Sequence, residues 1–145
     1  MSDRTGKRFL IIGAHPDDPD IRFGGTAIKM IRAGHIVKFV SLTNGCCGHH
    51  IQSGKELIDR RYAESQTAKD LIGLVEYEVW RDSNDCELEP TVENRKKVIR
   101  IIRGRRGDAP VLFRSQRARF PACGKVLRQA AKLAVAFSQF TGRGV

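Results

Sequence analysis

The stretch Phe9-Leu10-Ile11-Ile12-Gly13-Ala14-His15-Pro16-Asp17-Asp18 decides the fold. Its first five residues form a short apolar run closed by glycine, the pattern of a strand buried on both faces of a parallel sheet. The composition then changes abruptly, and one imidazole and two carboxylates crowd the turn that leaves the strand. In open α/β folds, ligands bind outside the carboxyl ends of the strands. Neutral imidazole and carboxylate oxygens are good ligands for first-row metals, zinc above all. His15 and Asp18 stand three apart, so a tight turn aims both at one ion, with Asp17 between them beside a metal-bound water. The pattern points to metal-assisted hydrolysis; the plain alternative is a solvated turn, which Pro and Asp readily form.

Working outward, strand and helix patterns alternate, which predicts a parallel sheet with crossover helices. A helix is expected over Gly25–Ala33, with Ala27, Ile28 and Ile31 on one face and Gly34 as its stop. Ile36–Leu42 is the second strand, and a glycine-rich loop over Thr43–Gly54 leads to a helix over Lys55–Ile72. Glu76–Trp80 is the third strand, with Arg81–Glu89 as its polar exit. Pro90 suits the first turn of the next helix, whose apolar positions are Val92, Val98, Ile99 and Ile102. Pro110–Phe113 is a fourth strand and Gly124–Phe137 a last helix. Three strand exits, at His15–Asp18, Asn44–His50 and Asp82–Asp85, then emerge on one edge of the sheet and converge on one pocket.

The chain of 145 residues suits a single domain over 1–145 with a modest core. No apolar run is long enough to span a bilayer, and the first eight residues precede no long apolar segment, which argues against a membrane partner or a secretory signal. Cys46, Cys47, Cys86 and Cys123 form no C-x-x-C pair, so free thiols and a cytoplasmic location are expected. The net charge of +10 is unevenly spread. Residues 1–102 carry 16 Lys and Arg against 15 Asp and Glu, whereas residues 103–145 carry 10 against Asp108 alone.

At several places the sequence resembles the LmbE-like, or PIG-L, family of zinc-dependent N-acetylglucosaminyl deacetylases. The resemblance rests on Ala14-His15-Pro16-Asp17-Asp18 after its strand, and on Phe23-Gly24-Gly25-Thr26 and Leu42-Thr43-Asn44-Gly45. It continues through Gly48-His49-His50, Arg60-Arg61 with Glu64, and Asp85-Cys86-Glu87-Leu88, covering residues 8–113. It implies a Rossmann-like three-layer αβα fold with a mainly parallel sheet, whose C-terminal part is incomplete here. It also implies His15 and Asp18 as zinc ligands and Asp17 as the general base, acting on an N-acetylated amino sugar or its conjugate. Zinc lowers the pKa of its water to about 7, and Asp17 takes the proton and returns it to the leaving amine. Arg60, Arg61 and Asp85 resemble substrate-facing positions suited to sugar hydroxyls, and His49 and His50 a loop bordering the site. The Cys46-Cys47-Gly48-His49-His50 cluster offers a competing metal site, but structural zinc sites usually draw on separated pairs and four candidates within five residues cannot easily all point inward, so a pocket wall or plain loop is expected.

The sequence departs from the family after the fourth strand, where a motif of the type Asn-Asp-Tyr-His-Pro-Asp-His is expected. Residues 114–122 contain no histidine or acid, and no histidine follows His50. A local frameshift over Gln116–Phe120 accounts for the lost acids and the basic excess; the rival is a truncated paralogue that binds sugar without catalysing. With two protein ligands in place of the usual three, little or no deacetylase activity is expected, and an uncovered edge favours self-association into a homo-oligomer. A nucleic-acid-binding module using Arg103, Arg105, Arg106, Arg114, Arg117 and Arg119 is the third reading. Against it, only Phe113 and Phe120 offer aromatic surface in that region.

Overall fold

A computed structural model describes residues 6–104 and the backbone of residues 111–113. Four strands, β1 (Arg8–Gly13), β2 (Ile36–Ser41), β3 (Glu76–Val79) and β4 (Val111–Phe113), form one sheet in the order β3-β2-β1-β4. All pairings are parallel, with Ile11 opposite Phe39 and Leu112, and Phe39 opposite Tyr77. Helices α1 (Asp18–Arg32), α2 (Gly54–Ile72) and α3 (Val92–Gly104) are the crossovers.

Both faces of the sheet are covered, as the uninterrupted apolar runs of β1 and β2 require. On one face Ile11, Val37, Phe39 and Tyr77 pack with Ala27, Phe23 and Met30 of α1 and Ala68 and Ile72 of α2. On the other, Leu10, Ile12, Val40, Leu42 and Trp80 pack with Val98, Ile101 and Ile102 of α3. The alternation of Leu10 and Ile12 against Ile11 is the period-2 pleat dividing one strand between two cores. Two crossovers run one way from β1 and the third runs back past it, so the order reverses between β1 and β4. That reversal is a topological switch point, where open α/β sheets leave a crevice at the carboxyl ends of their strands. The expected three-layer Rossmann-like arrangement is therefore present.

Two expectations need correction. The first helix does not begin at Gly25 but at Asp18, because Pro19 is preset for a first helical turn. Gly24 is buried within it, where an added Cβ would meet only Ile72 of α2 at 3.7 Å, so the glycine pair interrupts nothing. Pro90 lies outside α3, because Thr91 caps the helix: its hydroxyl accepts the Asn94 N–H at 3.1 Å. Val92, expected to face inward, is 57% exposed, and Ile101 packs on the core in addition to Val98 and Ile102. Strand limits agree within a residue. The helix expected over Gly124–Phe137, the residues after 113, and Arg105, Arg106, Arg114, Arg117 and Arg119 lie outside the described residues. Among the described residues no helix is long and apolar enough to cross a membrane.

Candidate active site

The turn after β1 is built by close approach. At Gly13 an added Cβ would stand 2.7 Å from both Asp18 Cβ and Pro19 Cδ, so only glycine lets the start of α1 fold back over the strand end. The Asp18 carboxylate then returns along the turn, and its Oδ2 accepts the N–H groups of Ala14 and His15, each at 3.0 Å. The same oxygen lies 3.3 Å from His15 Nδ1. Burial opposes the Asp18 charge, but the hydrogen bonds from His15 and Ala14 outweigh it and hold its pKa below the ordinary carboxylate value. His15 is raised above the ordinary imidazole value, first by its hydrogen bond to Asp18, then against burial by the charges of Asp85, Asp18 and Asp17.

Residues with no chemical role of their own fix this turn to the sheet. The Ser41 hydroxyl donates to the His15 carbonyl at 2.7 Å, and the Thr43 hydroxyl donates to the Ala14 carbonyl at 2.9 Å. The Tyr77 hydroxyl reaches across from β3 to the Pro16 carbonyl and to Asp20 Oδ1. Burial, then the Asp20 charge, pushes the Tyr77 pKa upward, so the hydroxyl keeps its proton for donation. The sequence marks Ser41 and Thr43 only as polar residues ending an apolar run, and Tyr77 only as a strand former; their partners are 26 to 61 residues away.

The exits of β2 and β3 are tied to each other. Buried Asn44 donates from Nδ2 to the Arg81 carbonyl at 3.1 Å and to Asn84 Oδ1 at 3.0 Å, while its Oδ1 accepts the Cys46 N–H at 3.1 Å. Asp85, 5% exposed, accepts the Gly45 N–H at Oδ1 and the Cys47 N–H at Oδ2, both at 3.1 Å. The β1 exit joins those of β2 and β3 at Pro16, whose Cδ would stand 3.2 Å from a Cβ added at Gly45, and the Asp85 charge helps raise His15. Asp85 thus organises the loop as well as lying near the metal-type pair.

The other expected residues divide. Arg61 packs against the loop, its Cγ 3.2 Å from a Cβ added at Gly45, and pairs with Glu64 at 3.2 Å. Arg60 pairs with Glu64 at 2.8 Å and donates to Gln52 at 2.7 Å on the exposed side of α2. His49 and His50 stack with ring centroids 4.7 Å apart. His49 Nδ1 accepts the Ile51 and Gln52 N–H groups, so that nitrogen serves the loop. The His49 pKa is lowered, first by desolvation and then by His50, Arg60 and Arg61, against the Glu64 carboxylate. Among the described residues, Cys46 and Cys47 gather with Asp85 and not with His49 and His50, as the crowding of four candidates into five residues implies. A cleft lined by Arg8, Ile36, Lys38 and Glu76 lies at the amino ends of the strands, away from all this chemistry.

The His15–Asp18 pair fits two ligands of a zinc site. Tetrahedral zinc with bonds of about 2.0–2.2 Å sets neighbouring nitrogen and oxygen ligands about 3.3–3.5 Å apart, and the two atoms here are 3.3 Å apart. Catalytic zinc sites take three protein ligands; among the described residues no third joins this pair within the same cluster.

Residues 10–119 match the PIG-L family, described as GlcNAc-PI de-N-acetylase. Over 102 residues the chain is 36% identical to the diacetylchitobiose deacetylase of Thermococcus kodakarensis, covering 69% of this chain and 38% of that protein. The structure of N,N'-diacetylchitobiose deacetylase from Pyrococcus horikoshii with its inhibitor MPG is similar with a TM-score of 0.79 at 30% identity, over 96% of this chain and 53% of that one. GalB, the 4-carboxy-2-hydroxymuconate hydratase of Pseudomonas putida, is similar in fold alone, with a TM-score of 0.72 at 19% identity over 88% of this chain and 57% of that one. The scaffold therefore serves more than one chemistry, and the chain spans about half or less of the length of these relatives. With 110 of its 145 residues inside the family match, the chain belongs to the PIG-L family of GlcNAc-PI de-N-acetylases.

Proposed function

We propose that this chain carries the metal-and-base part of a deacetylase site that removes the acetyl group from an N-acetylated amino sugar or its conjugate. The observation that carries the reading is the His15–Asp18 pair, with ligand atoms 3.3 Å apart, at the end of β1 beside a switch point. His15 and Asp18 would hold the ion, and a zinc ion supplies Lewis-acid polarisation of an amide carbonyl. The deacetylase relatives, named for acetylated amino sugars, favour this chemistry over that of the hydratase.

Asp17, between the two members of the pair in sequence, is the base. It takes a proton from the attacking water as the new C–O bond forms, and delivers it to the nitrogen as the C–N bond breaks, leaving acetate and a free amine. Asp18 does not share that task, because its Oδ2 faces His15 Nδ1 at 3.3 Å as the second ligand of the pair. Arg61, His49, His50 and Asp85, with Arg60 outermost, supply the polar rim where sugar hydroxyls are bound.

Turnover by the unmodified chain is at or below detection, because residues 114–122 offer no ligating or oxyanion-stabilising histidine. Loss of one oxyanion donor alone costs about 10²–10³ in rate. The test compares the chain with one rebuilt to carry Asn-Asp-Tyr-His-Pro-Asp-His after Ser115. Acetate release from N,N'-diacetylchitobiose is followed with added zinc, and Asp17→Asn is placed in the rebuilt chain. Activity in the rebuilt chain that Asp17→Asn abolishes supports the reading. Equal activity in both chains, or an Asp17→Asn variant as active as its parent, overturns it.

A further inference from the structure

Cys46 and Cys47 leave β2 as adjacent thiols whose sulfurs lie 3.4 Å apart. Both thiols and a carboxylate oxygen of Asp85 lie within 4.8 Å of one another. Asp85 is delivered there by a different strand exit, and it fixes the dithiol loop by accepting the Gly45 and Cys47 N–H groups. Each of its oxygens still has a second lone pair for a cation. The next residue, Cys86, is a third free thiol, exposed and adjacent to Asp85 in the chain. Cys86 also stands at φ 68°, the one non-glycine with positive φ among the described residues. Such backbone persists where surrounding structure enforces it, and it concentrates at ligand clamps.

We propose that Cys46, Cys47 and Asp85, with Cys86 beside them, form a second metal site selective for a thiophilic d¹⁰ cation such as Zn²⁺ or Cd²⁺, distinct from the His15–Asp18 pair. Thiolate donors select soft cations where carboxylate, carbonyl and water favour hard ones. Bonds of about 2.3 Å to sulfur and 2.0–2.2 Å to oxygen set tetrahedral ligand edges of about 3.5–3.8 Å. The sulfur pair at 3.4 Å is within a few tenths of an ångström of that spacing, and exposed Cys47 opens it by rotation of its side chain. Three groups that would each carry negative charge crowd one another there, and a divalent cation removes the conflict. Each cation bound displaces the thiol protons of Cys46 and Cys47 into solvent as both become thiolates. The site sits beside the proposed deacetylase centre, with Asp85 acting electrostatically on His15.

The test uses the full chain with Cys123→Ser, kept reduced by a phosphine, and titrates it with Cd²⁺ while recording thiolate-to-cadmium charge-transfer absorption. The expected result is a band that saturates at one equivalent and is retained in His15→Ala. Cys47→Ser, at an exposed position that leaves the fold intact by circular dichroism, weakens binding by more than about 100-fold, since even outer-shell partners are worth 10–100-fold. Cys46→Ser with Cys47→Ser removes the band. Absence of a band in the parent, a band unchanged in Cys47→Ser, or one lost in His15→Ala overturns the proposal. The last of these would mean that His15 and the thiolates hold one shared ion; the deacetylase reading is tested separately by Asp17→Asn in the rebuilt chain, so failure here is distinct from failure of that reading.

Discussion

Replacing Asp85 with alanine removes the acceptor for two backbone donors at once, the N–H groups of Gly45 and Cys47, each 3.1 Å from a different carboxylate oxygen. Hydrogen bonds to charged groups are worth about 1.5–3 kcal/mol each, and a buried donor left unpaired costs about 1–3 kcal/mol. Cys47 is exposed, so water replaces its lost partner, whereas Gly45 is buried and its N–H stays unpaired. The net loss expected for Asp85→Ala is about 2–4 kcal/mol. Asp85→Asn keeps one acceptor but turns an NH₂ toward the other N–H, for a loss of about 1–2 kcal/mol. At about 2–4 °C per kcal/mol, the alanine variant melts roughly 5–15 °C below the parent. Urea unfolding at unchanged m, with thermal melts beside it, measures both. An alanine variant within about 0.5 kcal/mol of the parent, the range of an ordinary surface substitution, would show that Asp85 does not hold the two strand exits together.

Ser41→Ala and Thr43→Val each cost about 1 kcal/mol, and together they remove the side-chain anchors of the Ala14 and His15 carbonyls, which keep only the Thr43 and Asp18 backbone N–H donors. Zinc affinity at the His15–Asp18 pair then falls about 10–100-fold, measured against a chelator; unchanged affinity would mean that the turn is held without them. Gly45→Ala forces a side chain onto backbone at φ 78°, with its Cβ 3.2 Å from Arg61 Cγ and Pro16 Cδ. It should lose about 1–3 kcal/mol in a chemical melt, and a neutral result would show that the loop relaxes. The pH dependence without metal follows from the His15–Asp18 pair. The raised His15 contributes in full below 6.5 and loses its contribution as pH climbs through its folded value. The lowered Asp18 contributes above 3.8 and loses its contribution as pH falls through its folded value. The stability difference between the metal-free parent and His15→Ala should therefore shrink as pH rises above 6.5. A difference that stays constant between about pH 5 and pH 9 contradicts the pairing.

The sequence by itself determined the layered α/β class, the family and the placement of the His15–Asp18 turn at the carboxyl end of β1. Each rests on a local pattern: an apolar run short enough to be a buried strand, a turn dense in ligand atoms, and alternating element signatures. Helix starts were less legible, because Pro19 and Thr91 had to compete with Gly24-Gly25 and Pro90, and local propensity alone did not rank them. What only the tertiary structure decided is which distant groups meet. Asp85 looks like one acid in a polar loop, yet two backbone donors 38 and 40 residues away fix its position. His49 and His50 adjoin Cys46 and Cys47 in sequence, but the metal-type cluster takes Asp85 in their place, because His49 Nδ1 turns to cap its own loop. Periodicity reports which face a side chain occupies, and motif spacing reports what a single turn can aim. Contacts between separate strand exits depend on parallel register and crossover path, which no stretch of neighbouring residues encodes.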